Sequence, residues 1–157
     1  IGQVADLTVD QYRPRGMTPL LDAIGALLDD AERRLGDGPA NGTVDPVVVV
    51  FTDGLENASR RVTREELFSR IARLRDAGWT FVFLGANQDS YLEAGRLGFS
   101  DANTQNFRGD SYGMRTASGD VSKGLTSMRR KVGHERFLHK LEFFDGHKDA
   151  ERDDDTR

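Results

Sequence analysis

Two short polar segments carry the residue types that could do chemistry in this chain. The first, Thr52-Asp53-Gly54, directly follows residues 47–51, a run of β-branched and aromatic side chains. A carboxylate such as that of Asp53 is a hard oxygen ligand suited to Mg²⁺, and Gly54 would leave room for backbone and solvent beside it. Asp-Gly pairs are also common in turns, and the dipeptide alone favours that simpler interpretation.

The second segment is Gly16-Met17-Thr18, which stands immediately before Pro19. Pro19 suits the first position of a helix, so Thr18 is predicted at the N-cap, where its hydroxyl would accept a hydrogen bond from the helix backbone. The same hydroxyl could instead bind a hard cation. Taken alone, Thr18 is more readily explained as a helix cap.

The elements that must position these residues follow from hydrophobic spacing. Apolar residues at helical spacing predict helices over residues 19–35, 64–77, 90–97 and 114–132. Non-alternating apolar runs at 47–51 and 79–84 predict strands buried on both faces, and Phe99 is predicted to begin a short third strand. Strands alternating with helices indicate a parallel sheet, whose ligands bind beyond the carboxyl ends of the strands.

Taken together, the two segments resemble parts of the metal-ion-dependent adhesion site of von Willebrand factor A domains. In that family the site combines a D-x-S-x-S segment, a Thr in a G-x-T loop and an Asp in a T-D-G turn. Here the last two are Gly16-Met17-Thr18 and Thr52-Asp53-Gly54. The resemblance covers roughly residues 7–130, is similar to small bacterial or phage members, and includes residues 12–15, 22–24, 56–59 and 83–89.

The resemblance implies an α/β fold of the Rossmann-like, three-layer kind, with a parallel sheet and helices on both faces. Residues 1–133 would form a partial domain that lacks the family's N-terminal strands, and residues 134–157 a charged, disordered tail. Thr18 and Asp53 would bind Mg²⁺. The surrounding binding residues would be Gly16, Gly54, Glu56, Asn57, Asn87 and Asp89. Asn87 and Asp89 could equally cap the next helix.

The function implied is a metal-ion-dependent protein-binding module, in which a carboxylate of a protein partner completes the Mg²⁺ shell. Because the D-x-S-x-S segment has no counterpart here, we expect Mg²⁺ binding to be weak or absent. We also expect self-association through an exposed sheet edge. No general acid, base or nucleophile is evident, so the chain is not expected to be an enzyme. The alternative is a metal-dependent phosphohydrolase, although such sites usually need several carboxylates and only Asp53 is well placed.

Composition narrows the classes of partner. The 157 residues, 37% hydrophobic and 31% charged with a net charge of −4, suit one domain. There is no dense basic block to bind nucleic acid and no apolar run long enough to span a membrane. We therefore expect a soluble, cytoplasmic protein. The chain has no cysteine, and its three histidines, His134, His139 and His147, are expected on the surface.

Overall fold

The computed structural model of the chain describes residues 16–86 and 90–152, which form an α/β fold. Three parallel strands stand in the order β1-β2-β3. The strands are β1 (Val47–Thr52), β2 (Thr80–Gly85) and β3 (Thr104–Asn106). The α-helices are α1 (Leu20–Leu35), α2 (Arg64–Asp76), α3 (Ser90–Arg96), α4 (Ser111–Arg130), α5 (Gly133–Leu141) and α6 (Asp149–Arg152). Over these residues no helix combines the length and apolar character that a bilayer crossing needs.

Helices cover both faces of the sheet, and β2 shows why. Because successive side chains of a strand point to opposite faces, Phe81 and Phe83 enter one core and Val82 and Leu84 enter the other. The first core is completed by apolar residues of α1, α2 and α3, and the second mainly by α4 and the segment after it. All six residues of β2 are buried, which confirms the prediction of a strand covered on both faces.

The strand β1 is less buried than its sequence predicts. Val48 and Val50 are buried in the first core, but Val47 and Val49 are half-buried and Phe51 is 38% exposed. Among the described residues β1 has only β2 as a neighbour. The prediction of burial on both faces is therefore wrong for the second face of β1, where Phe51 rests on the edge of Phe107 at a ring distance of 6.1 Å.

The capping box of α2 is confirmed. Thr63 and Glu66 exchange side-chain and backbone hydrogen bonds at its N-terminus. The third strand, however, is not at Phe99. Phe99 is a core side chain set edge-on to Phe83 at 5.3 Å, and β3 comes five residues later. Its residues are polar although Thr104 and Gln105 are fully buried, so hydrophobic spacing could not detect it.

The segment after α4 is ordered as helices where the sequence predicted a disordered tail from residue 134. Helices α5 and α6 lie within residues 133–152, and Phe143 and Phe144 between them are fully buried in the second core. His139 is buried as well, with Nε2 3.0 Å from the carbonyl oxygen of Gly124, so its expected surface position is wrong. The burial of two phenylalanine side chains favours an ordered structure in this segment despite its many charged residues.

Candidate functional site

Thr18 lies at the carboxyl end of β1, but it is not the cap of α1. The helix begins at Leu20 with Pro19 at the N-cap, and Pro19 offers no side-chain hydrogen bond there. The Thr18 hydroxyl instead faces Gly54, since a β-carbon added to Gly54 would lie 2.9 Å from Thr18 Oγ1. In the described part of the chain this hydroxyl makes no hydrogen bond. Thr18 Oγ1 is thus available to a ligand.

Asp53 projects from a tight turn at the end of β1. The Thr52 hydroxyl holds this turn because it donates to the Gly54 carbonyl at 2.7 Å and accepts from the Gly54 N–H at 3.2 Å. The Asp53 side chain is exposed and forms no hydrogen bond or ion pair with any residue in ranges 16–86 and 90–152. Among the described residues, the Thr18 hydroxyl and the Asp53 carboxylate are thus both without a hydrogen-bond partner, and Thr18 lies against Gly54, the residue that follows Asp53.

Glu56 belongs to the same loop but is fully engaged. Its Oε1 accepts the backbone N–H groups of Ala58 at 2.9 Å and Ser59 at 2.7 Å. Its Oε2 accepts the N–H of Leu21 at 2.9 Å and the Ser59 hydroxyl at 2.7 Å. Burial raises the pKa of Glu56, but these hydrogen bonds lower the pKa by a larger amount. The pKa of Glu56 is therefore below its ordinary value. Glu56 was predicted as a binding residue, and in the structure its carboxylate accepts hydrogen bonds from the loop and from the first turn of α1.

The loop after β1 caps α1 from outside the helix. Glu56 accepts the N–H of Leu21, and the Ser59 hydroxyl accepts the N–H of Asp22 at 3.0 Å. Both donors belong to the first turn of α1, whose N–H groups have no partner within the helix. A carboxylate at this end is also favoured by the helix dipole. This arrangement replaces the missing side-chain cap of Pro19.

Asn57 fixes the backbone of Thr18 by a reciprocal pair of hydrogen bonds. Its Oδ1 accepts the Thr18 N–H at 2.8 Å, and its own N–H donates to the Thr18 carbonyl at 3.2 Å. The side chain of Asn57 therefore positions Thr18. Asn57, like Glu56, was predicted as a binding residue, and its side chain here accepts a backbone N–H.

Asp22 is a positioning residue that the sequence analysis missed. Its carboxylate accepts the backbone N–H groups of Arg60, Arg61 and Val62, each at 2.9 Å. The hydrogen bond from Arg60 lowers the pKa of Asp22, burial raises it, and the bonds from Arg61 and Val62 lower it again, with a net decrease. An acidic residue in the first turn of a helix was the available signal, since such residues often bind backbone N–H groups.

The remaining predicted residues divide into two groups. Gly16 has φ +67°, a conformation that favours glycine, and a side chain at Gly54 would require the Thr18 hydroxyl to shift. Asn87 and Asp89 lie outside the described residues. The structure therefore places Thr18 against Gly54, the residue after Asp53, with Glu56 and Asn57 in the same loop.

The donors present suit Mg²⁺ in kind but not in number. A hydroxyl and a carboxylate are hard oxygen ligands, whereas Mg²⁺ requires six in octahedral arrangement. Within residues 16–86 and 90–152 no group of three or more His, Cys, Asp or Glu side chains could hold a metal ion. Most of the shell would therefore fall to water and to a partner.

Comparisons with known proteins give no independent assignment. A scan against protein-family models, a search of curated proteins and a search of solved structures each found no match to this chain.

Proposed function

We propose that the chain is a metal-ion-dependent protein-binding module of the von Willebrand A kind, with a Rossmann-like arrangement of its sheet and helices. Thr18 and Asp53 would hold Mg²⁺, and a carboxylate of a protein partner would take a further coordination position. The observation that carries the proposal is that both side chains lack a partner among the described residues, whereas the side-chain oxygens of Glu56 and Asn57 in the same loop accept backbone hydrogen bonds.

The chemistry of such a site follows from its low charge. One carboxylate neutralises only half of a divalent cation, and a hydroxyl adds no charge, so the bound ion would still attract an anionic ligand from outside. The residues of this chain would bind and orient the cation, and the loop between β1 and α2 would hold them in place. No step of bond cleavage is required of them.

Cation binding is tested with Mn²⁺ in place of Mg²⁺. The relaxation rate of water protons measures how much Mn²⁺ is bound. We expect the intact chain to bind Mn²⁺ more weakly than about micromolar, because most of the shell is water. Asp53→Asn and Thr18→Val should reduce this binding severalfold. Thr18→Ser, which keeps the hydroxyl, and Asp37→Asn, which removes an exposed loop charge, should leave it unchanged.

Recognition of an acidic partner is tested with two capped amino acids, acetyl-glutamate amide and acetyl-glutamine amide. The glutamate compound should displace water from the bound Mn²⁺ and lower the relaxation enhancement, and the glutamine compound should not. Equal Mn²⁺ binding by the Asp53→Asn variant and the intact chain would exclude the proposed site. A response to both compounds would exclude the proposed carboxylate recognition.

A further inference from the structure

A separate cleft lies at the opposite end of the sheet, where the three strands begin. It has a volume of about 380 Å³ and is lined by residues that precede all three strands, among them Asp45, Trp79 and Ser100, and by one side of α5. Ligand pockets of roughly 300–1,000 Å³ are typical for small molecules. Thr18 and Asp53 lie at the carboxyl end of β1, so this cleft is independent of the proposed cation site.

The cleft offers apolar surface on two sides. Its inner wall is aromatic, with Trp79 stacked on Phe81 at 6.3 Å and Phe81 edge-on to Phe99 at 5.9 Å. Its outer wall contains Phe137 and Leu141 of α5, which are 56% and 45% exposed. A flat apolar ligand in the cleft would bury the exposed apolar surface of these two side chains, which would favour its binding.

The charges of the cleft favour an anion. Among the residues that the structure describes, the lining has three cations, Arg75, Arg136 and Lys140, and two carboxylates, Asp45 and Asp76, which together give one net positive charge. Arg136 and Lys140 both bind Asp45, at 2.7 and 2.5 Å. Burial raises the pKa of Asp45, but its hydrogen bonds with these two cations lower the pKa by a larger amount. Asp45 therefore stays ionised.

Arg75 is the cation left over. Its guanidinium makes one long hydrogen bond, 3.3 Å to the Gly98 carbonyl, and no ion pair with a residue that the structure describes. A guanidinium has five N–H donors, and its planar fork matches a carboxylate. Arg75 therefore stands at the mouth of an aromatic cleft with donors to spare.

We propose that this cleft binds a small organic carboxylate with a planar apolar body. The carboxylate pairs with the guanidinium of Arg75. The apolar body lies between the exposed side chains of α5, Phe137 and Leu141, and the aromatic inner wall.

The protein carries its own reporter for this proposal, because Trp79 is its only tryptophan and lines the cleft. The full chain is titrated with phenylpropionate and, in parallel, with its neutral amide, while tryptophan emission is recorded. We expect a saturable change with phenylpropionate and about two- to fivefold weaker binding of the amide, as for the loss of one exposed ion pair.

Two variants separate the roles of charge and apolar surface. Arg75→Gln should remove the preference for the carboxylate, whereas the control Arg115→Gln, at an exposed site on α4 outside the cleft, should retain it. Phe137→Ala should weaken both probes by about the same factor, and Tyr112→Ala, which removes an exposed aromatic on α4, should weaken neither. The altered side chains are exposed, and circular dichroism checks that each variant folds.

Two results would overturn the proposal. One is the absence of a saturable response to phenylpropionate, or a response that Arg75→Gln and Phe137→Ala leave unchanged. The other is a Trp79 emission that depends on protein concentration and not on the probe, which would mean that a second copy of the chain covers the cleft. Neither result bears on Mn²⁺ binding at Thr18 and Asp53.

Discussion

In the loop between β1 and α2, the replacement of Glu56 should have the largest effect on stability. This carboxylate accepts four hydrogen bonds, from Leu21, Ala58 and twice from Ser59. Glu56→Gln keeps the shape but replaces one acceptor oxygen with an NH₂ group. If the amide oxygen stays on Ala58 and Ser59, the NH₂ group faces the N–H of Leu21, and two donors meet.

The magnitude follows from the cost of leaving one buried donor unpaired and of weakening the bonds that remain. The first is worth about 1–3 kcal/mol, and the half-buried position of Glu56 argues for the middle of that range. We therefore expect Glu56→Gln to reduce the free energy of unfolding by about 2 kcal/mol, which lowers Tm by about 4–8 °C in a domain of this size. The control Glu142→Gln alters an exposed carboxylate and should change Tm little.

Acidification distinguishes this explanation from a simple packing defect. Since the folded-state pKa of Glu56 lies below its ordinary value, its stabilisation is complete above the unfolded pKa of about 4.3 and disappears as pH falls through the folded pKa. The difference in stability between the intact chain and Glu56→Gln should therefore narrow below about pH 4. Urea unfolding at neutral and acidic pH measures it. A gap below about 0.5 kcal/mol at neutral pH, or one that persists unchanged in acid, would refute this account.

Two packing predictions test the rest of the fold by the same unfolding assay. A β-carbon at Gly85 would lie 2.0 Å from Ser90 Oγ, so Gly85→Ala should cost about 3 kcal/mol. Gly95→Ala, which meets nothing within 4 Å in a helix, should be neutral or stabilising. Phe143→Ala should cost about 3–5 kcal/mol because the ring is fully buried. A loss below about 1 kcal/mol would mean that the segment after α4 does not contribute to the core.

The sequence predicts the elements whose apolar pattern matches their burial. Helix α2 has a capping box and an apolar stripe, and β2 is an unbroken apolar run, so in both cases local signal and tertiary packing agree. Strand β3 has neither signal. Its Gln105 is buried because Asp120 of α4 accepts a hydrogen bond from Gln105 Nε2 at 2.7 Å, a contact between residues far apart along the chain. A buried polar pair of this type looks like a surface loop in the sequence.

The second core fails sequence prediction for a related reason. Phe143 fits against α4 because Gly124 has no side chain there, and a β-carbon at Gly124 would lie 2.5 Å from the Phe143 ring. Glycine within a helix normally weakens it, so Gly124 reads in the sequence as a defect of α4. The structure shows that the space beside Gly124 is filled by Phe143, nineteen residues later in the chain.

At the candidate site the sequence could not predict how hydrogen bonding divides the oxygen-bearing side chains. Thr18, Asp53, Glu56 and Asn57 all carry oxygen atoms suited to a cation, and spacing alone cannot rank them. The structure separates them by hydrogen bonding, since Glu56 and Asn57 are occupied by backbone N–H groups of Leu21 and Thr18. An N-cap supplied from a distant loop leaves no local signature, because its donor and acceptor are 35 residues apart.

This division allows stability and ligand binding to be perturbed separately. Asp53 is exposed and bonded to no described residue, so its replacement by Asn should leave the unfolding free energy within about 0.5 kcal/mol of its original value. Glu56 ties the loop after β1 to the first turn of α1, so its replacement should affect both stability and any cation binding. If Asp53→Asn instead destabilised the fold as much as Glu56→Gln, Asp53 would be another structural residue of the loop. The carboxyl end of β1 would then have no free carboxylate to hold a cation.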